Sequence, residues 1–296
     1  MNRYTRRGHM TAIITVLIWG TTFISTKVLL EDFQPVEILF IRFLLGYGAL
    51  WLVYPHPLRG TTARQEVIFA GAGLCGICLY YLLENIALSY SMASNVGVIV
   101  AVAPLFTALL AQVFLRGEER LSANFFAGFL VAMVGVALIS FNGQRFALNP
   151  LGDGLALLAA LIWGFYSIFT RKIAGFGIST LQATRRTFFY GLLFMLPALV
   201  VFDVRLDVAR LANPVNALNL LFLGLGASAL CFVTWNMAIK RLGVVQASLY
   251  IFLTPVITVV SSLLILHEPF TWMTALGTLL TLRGLVLSER RSLRPR

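Results

Sequence analysis

The sequence predicts an all-α integral membrane protein: ten transmembrane helices, arranged as two inverted five-helix repeats around a central cavity. Three observations predict it: the hydropathy, the spacing of the apolar runs and an internal repeat. Of the 296 residues, 59% are hydrophobic and only 12% charged, and the mean hydropathy is +0.86. A soluble domain carries about 25% charged residues and has no means of hiding so much apolar surface. Ten apolar runs follow one another: Met10–Leu30, Val36–Tyr54, Val67–Tyr90, Ala93–Leu115, Ala123–Phe141, Gly154–Ile173, Leu181–Phe202, Ala217–Ile239, Val244–Leu266 and Trp272–Ser288. Each is near the ~20 residues that a helix needs to cross hydrocarbon. The connections are too short to hold a soluble domain, so any chemistry takes place among the helices.

The repeat is read from ordered landmarks. Leu17-Ile18-Trp19-Gly20 returns as Leu161-Ile162-Trp163-Gly164, and Arg42 returns as Arg186. Asn85-Ile86-Ala87 returns as Asn236-Met237-Ala238, Pro104 as Pro255, and Gly128 with Gly135 as Gly277 with Gly284. Residues 1–146 and 147–296 are therefore expected to be the two copies. Five spans is an odd number, so the second copy enters the membrane from the opposite side. Inverted-topology repeats of this kind mark transporters, in which one central site is exposed alternately to the two faces.

Charge placement sets the orientation. With a cytoplasmic N-terminus, the inner segments hold Arg3, Arg6, Arg7, Arg59, Arg64, Arg116, Arg120, Arg171, Lys172, Lys240, Arg241, Arg290, Arg291, Arg294 and Arg296. The outer segments hold Lys27, Arg145, Arg205 and Arg210. This asymmetry obeys the positive-inside rule and places both termini in the cytoplasm. It also accounts for the net charge of +11 without a nucleic-acid partner; the expected partners are membrane lipid and a small-molecule substrate. Both copies lie in one chain, so a monomer suffices. The apolar run after Arg7 is too long for a signal-peptide core and reads as the first span.

No enzyme signature is present, and no cofactor or metal is expected. Cys75 and Cys78 have redox spacing but lie within an apolar run, with no second Cys or His pair to complete a metal site. His9, His56 and His267 fall outside the spans and do not converge on a motif.

The candidate site residues are the polar and aromatic ones within the spans. Glu84 is the most informative, because an intramembrane carboxylate normally faces the protein interior or a water-filled cavity. Arg42 and Glu84 each lie about six residues from the outer end of their spans, roughly 9 Å deep at 1.5 Å per residue. They either form a buried ion pair, or Glu84 meets a substrate ammonium or a coupling proton. At the Glu84 offset the second copy has Trp235, so Arg186 lacks the equivalent acid. Arg185 stands beside it, and the two arginines either snorkel to the interface or, with Arg186 as the candidate, meet a substrate carboxylate. Trp19, Tyr80, Tyr81, Asn85, Asn95, Trp163, Tyr166, Trp235, Asn236 and Tyr250 either line a substrate cavity or serve packing and interhelical hydrogen bonds. Pro104 and Pro255, near the middle of their spans, are either fixed kinks or moving hinges. The paired glycines read as close helix packing.

With these residues in place the chain resembles the EamA family of the drug/metabolite transporter superfamily. The resemblance rests on Glu84-Asn85-x-Ala87-Leu88, Ala93-Ser94-Asn95, Ala103-Pro104-Leu105-Phe106 and Gly117-Glu118-Glu119-Arg120-Leu121-Ser122 in the first copy. In the second it rests on Asn236-x-Ala238, Thr254-Pro255, His267-Glu268-Pro269 and Gly277. Within the family the chain looks like the bacterial aromatic amino acid exporters. The resemblance implies ten helices, a central cavity, a place in the bacterial cytoplasmic membrane and export of small metabolites by alternating access. A multidrug or organic-cation exporter of the same fold is the alternative, and a membrane-embedded enzyme or receptor the distant one.

Overall fold

The computed structural model describes residues 3–91, 93–115, 121–141, 149–204, 208–265 and 271–289. The Gly117–Arg120 and His267–Pro269 motifs, Arg116, Arg145, Arg205 and the arginines from Arg290 onward lie outside the described residues, as do the side chains of Lys27, Leu88, Ala93, Ser94 and Asn95.

Among the described residues ten long helical rods follow one another. Helix α1 is Arg3–Leu29 and α2 is Pro35–Val53. Helix α3 runs Ala63–Gly73, passes through π-helical turns over Leu74–Leu79 and continues as Tyr80–Tyr90. Helix α4 is Ala93–Val100 followed by Ala103–Phe114; α5 is Ala123–Phe141, α6 Pro150–Ala174 and α7 Thr180–Val201. After a short helix, Val208–Ala212, α8 runs Pro214–Leu221, π-helical Phe222–Leu230 and Cys231–Leu242. Helix α9 is Val244–Leu249, a 3-10 turn over Tyr250–Phe252 and Leu253–Ile265, and α10 is Trp272–Glu289. Among the described residues α1 to α8 are each long and apolar enough to cross a membrane, and α9 and α10 are shorter apolar rods.

Local chemistry sets the helix starts. Pro35, Pro150 and Pro214 each occupy the first helical turn, where the missing N–H is not needed. Asn149 and Asn213 accept hydrogen bonds from Gly152 and Val215 as N-caps, and Thr62 with Gln65 closes a capping box.

The interruptions pair up between the halves. Helix α4 breaks at Ala101–Val102, just before Pro104, and α9 tightens to a 3-10 turn just before Pro255. A proline ring clashes with the carbonyl four residues back and leaves that turn without its donor, so each break falls where its proline requires it. The π turns of α3 and α8 also correspond.

Packing follows the same two-fold relation. Helices α1 and α2 pack on α8, and α1 also on α9; α6 and α7 pack on α3, and α6 also on α4. Each group thus mixes the two halves. The pair α5 and α10 closes the structure, and a Cβ on Gly135 would strike the Gly277 carbonyl and Thr281, while one on Gly128 would strike the Gly284 carbonyl and Ser288. In hydrocarbon, apolar burial gives little association energy, so such backbone approach is what holds helices together. The outer faces carry apolar side chains such as Leu52, Val113 and Val200, at 86%, 75% and 81% exposure, a surface suited to lipid and not to water.

Ten passes bring residues 3 and 289 to one end of the bundle, the termini end. The other is the far end.

Candidate functional site

An aromatic cluster fills the middle of the bundle, where the two mixed groups of helices face one another. Trp19 of α1 lies 5.7 Å from Trp163 of α6 and 5.3 Å from Trp235 of α8, centroid to centroid. Tyr80 of α3 packs on Trp163 at 4.9 Å and on Tyr81 at 4.9 Å, and Tyr166 packs on Trp163 at 5.0 Å. Phe43, Phe188 and Phe232 close the cluster from α2, α7 and α8. Glycine makes the close approach possible: a Cβ at Gly76, in the π turn of α3, would fall within the Tyr166 ring.

The polar groups divide into satisfied and unsatisfied. The Trp19 indole donates to the Ala227 carbonyl at 3.0 Å, a carbonyl within the π turn of α8. Asn236 accepts from the Tyr166 hydroxyl and donates to Thr184 Oγ1, both at 2.9 Å, so it ties α6, α7 and α8 together. Among the described residues the buried indole nitrogens of Trp163 and Trp235 and the Thr107 hydroxyl have no hydrogen-bond partner. Leaving a buried donor unpaired costs about 1–3 kcal/mol.

Glu84 lies one helical turn beyond Tyr80, whose hydroxyl donates to it at 3.2 Å. Glu84 is half-buried. Trp19, Tyr80, Tyr81 and Asn85 are likewise half-buried, whereas Trp163, Tyr166, Trp235 and Asn236 are buried. Trp19 and Glu84 lie on the far halves of α1 and α3, and Trp235 and Asn236 on the termini half of α8. A cavity borders Asn236 on the termini side, lined by Thr170, Ile173, Thr187 and Lys240.

Not every expected residue joins the cluster. Arg186 does have an acidic partner, contrary to the sequence reading: Glu66 of α3, bound through Nε at 2.9 Å and Nη2 at 2.9 Å, with the Tyr190 hydroxyl on the same carboxylate at 2.6 Å. The acid comes from the start of the third helix, a position that the repeat offset does not point to. Arg185 is buried, stacks over the Trp51 ring at 3.7 Å and donates to the Tyr54 and His56 carbonyls, where it caps the end of α2. Tyr250 meets His9 of α1 at 2.5 Å at the termini end. The Asn95 side chain is outside the described residues.

The Arg42–Glu84 ion pair does not form. Among the described residues no carboxylate lies within 4 Å of the Arg42 guanidinium. Its Nε donates to Ser228 Oγ at 2.9 Å, and its Cζ stands 5.5 Å from the centroids of the Phe43 and Tyr81 rings. The signal that points to Arg42 in sequence is its depth, shared with Glu84. At the far end Arg210 binds Glu37 at 3.2 Å and the Asp32 carbonyl at 2.7 Å. Among the described residues no group of three or more His, Cys, Asp and Glu side chains converges to hold a metal.

The sequence profile of the EamA-like transporter family matches residues 6–141 and 150–289. An uncharacterized transporter of Archaeoglobus fulgidus is 27% identical over 95% of this chain and 97% of its own. A protein of Streptantibioticus cattleyicolor named "Probable terminal-alkyne amino-acid exporter" is 29% identical over 95% of this chain and 93% of its own. A protein of Escherichia coli named "Probable amino-acid metabolite efflux pump" is 26% identical over 96% of this chain and 95% of its own. One crystal structure superposes with a TM-score of 0.78 at 21% identity, covering 95% of this chain and 96% of that one; the likeness is one of fold.

Proposed function

The chain belongs to the EamA-like transporter family, and from that premise we propose that it exports small amphipathic metabolites, amino acids including aromatic ones, by alternating access. The observation that carries the reading is Glu84, a half-buried carboxylate within the bundle that is bonded to Tyr80, which packs in turn on Tyr81 and Trp163. A carboxylate in that setting suits an ammonium group, and the aromatic walls suit an apolar side chain. The amino-acid exporter names of two relatives support the same substrate class. In this reading the two repeats, residues 1–146 and 147–296, exchange conformations about the breaks at Pro104 and Pro255. In this reading both termini lie in the cytoplasm of a bacterium, which the distribution of basic residues supports, and one chain is the working unit.

The test is counterflow in proteoliposomes: unlabelled amino acids inside, labelled phenylalanine outside, with and without a pH gradient. Saturable exchange is expected, and a response to the gradient identifies proton coupling. Glu84→Gln, shown to be folded by size exclusion, is expected to lower exchange about tenfold or more, the scale of one charge-assisted hydrogen bond. Full activity in that variant removes Glu84 from the site.

The second reading is export of organic cations, favoured by the aromatic cluster beside a lone carboxylate. It is distinguished by exchange of a labelled quaternary ammonium compound when no amino acid exchanges.

A further inference from the structure

Arg42 is nine-tenths buried, at 7% exposure, and it differs from Arg185, Arg186 and Arg210. Arg186 is held by Glu66, Arg210 by Glu37 and Arg185 by two backbone carbonyls. Arg42 makes one hydrogen bond, from Nε to the neutral hydroxyl of Ser228. A guanidinium has five N–H donors, and among the described residues the Nη groups of Arg42 have no acceptor. Two ring faces give partial compensation, but an interior cation without an anion is a costly arrangement and marks a functional site.

Its surroundings say what anion it would take. The guanidinium faces the Tyr81 ring, the Tyr81 ring packs on Tyr80, and the Tyr80 hydroxyl holds Glu84. A cation and a carboxylate thus stand near one another, linked through the two tyrosines, with no direct ion pair between them. An α-amino acid carries the complementary pair, an ammonium and a carboxylate on one carbon.

We propose that Arg42 receives the carboxylate of the exported amino acid while Glu84 receives its ammonium, so that Arg42 sets the preference for amino acids over simple amines. This rests on the amino acid reading above. It gives to Arg42 the task that the sequence suggested for Arg186, whose guanidinium is occupied by Glu66. The planar fork of arginine matches a carboxylate through two parallel hydrogen bonds, which lysine does not reproduce.

The experiment is calorimetric titration of the full-length protein in lipid nanodiscs with phenylalanine and with phenethylamine, which lacks only the carboxylate. The wild-type protein is expected to bind phenylalanine about tenfold or more tightly, as one charge-assisted contact implies. Arg42→Met is expected to bring the two affinities within about threefold of each other by weakening phenylalanine alone. Arg42→Lys keeps an interior cation, and with it the fold, and is expected to lower the preference by about threefold or more. Equal binding of the two ligands by the wild-type protein overturns the assignment of Arg42 and leaves the exporter reading standing. So does an unchanged preference in either folded variant. If the wild-type protein binds neither ligand, the amino acid reading fails and this assignment fails with it.

Discussion

The seam between α5 and α10 and the layer around Glu84 are both built from corresponding residues of the two copies, and they treat that correspondence differently. At the seam the symmetry is kept: Gly135 meets Gly277 and Gly128 meets Gly284, each copy pressing the same kind of backbone surface on the other. At the centre it is broken. Glu84 corresponds to Trp235, and Arg42, which has no acid among the described residues, corresponds to Arg186, which has one. Trp19, with a bonded indole, corresponds to Trp163, with an unbonded one. Close packing constrains both copies equally, because a helix crossing needs small residues on both partners. A bound molecule lacks the symmetry of the protein, so the groups that face it are free to diverge.

The comparison can be broken most severely at the seam. Gly135→Leu would drive a side chain into the Gly277 carbonyl and Thr281. Backbone cannot yield there as a flexible side chain would, and we expect a loss of about 3 kcal/mol or more, read as loss of the monodisperse peak in size exclusion. Gly97, where an added Cβ meets nothing within 4 Å, is the matched control: Gly97→Ala should leave the peak intact.

The two ends of the molecule give a smaller contrast. Arg210→Met strands Glu37, whose side chain is 2% exposed, and should cost about 3 kcal/mol. Glu66→Gln strands Arg186, a third exposed at 33%, and should cost about 1 kcal/mol or less. Chemical unfolding of both variants in one detergent measures the difference, and equal losses would show that the two ion pairs are equally enclosed.

The smallest effect sharpens the comparison at the centre. Trp19→Phe removes the donor to the Ala227 carbonyl, whereas Trp163→Phe removes a donor that bonds to nothing. Trp163 is buried and Trp19 half-buried, so the larger cavity left by Trp163→Phe offsets the hydrogen bond lost in Trp19→Phe. The two variants should lie within about 1 kcal/mol of each other, read as their Tm values.

Much of this organisation is legible in sequence because it is written in spacing. Ten apolar runs, proline at helix starts, glycines seven apart and prolines in mid-span are local signals with local consequences, and the breaks in α4 and α9 sit where Pro104 and Pro255 put them. The π turns of α3 and α8 are not legible in the same way. Gly71, Gly73 and Gly76 hint at one of them, but a wider turn is decided by what presses on it, here α7 and the Tyr166 ring. The site was half legible. Glu84, Tyr80, Tyr81 and the three tryptophans do come together. Arg186 and Tyr250 find partners nearer the termini end, because an arginine binds whichever acid the packing brings to it, and Glu66 lies on a helix that only the tertiary fold places beside α7.

The sequence by itself determined that the chain crosses a membrane many times and repeats itself with inverted sense, because hydropathy and repeat spacing depend on covalent order alone. Which charges are neutralised was decided only by the tertiary structure. A side chain's partner depends on distances between helices far apart in sequence, and those distances set Arg186 against Glu66 and left Arg42 without an anion among the described residues.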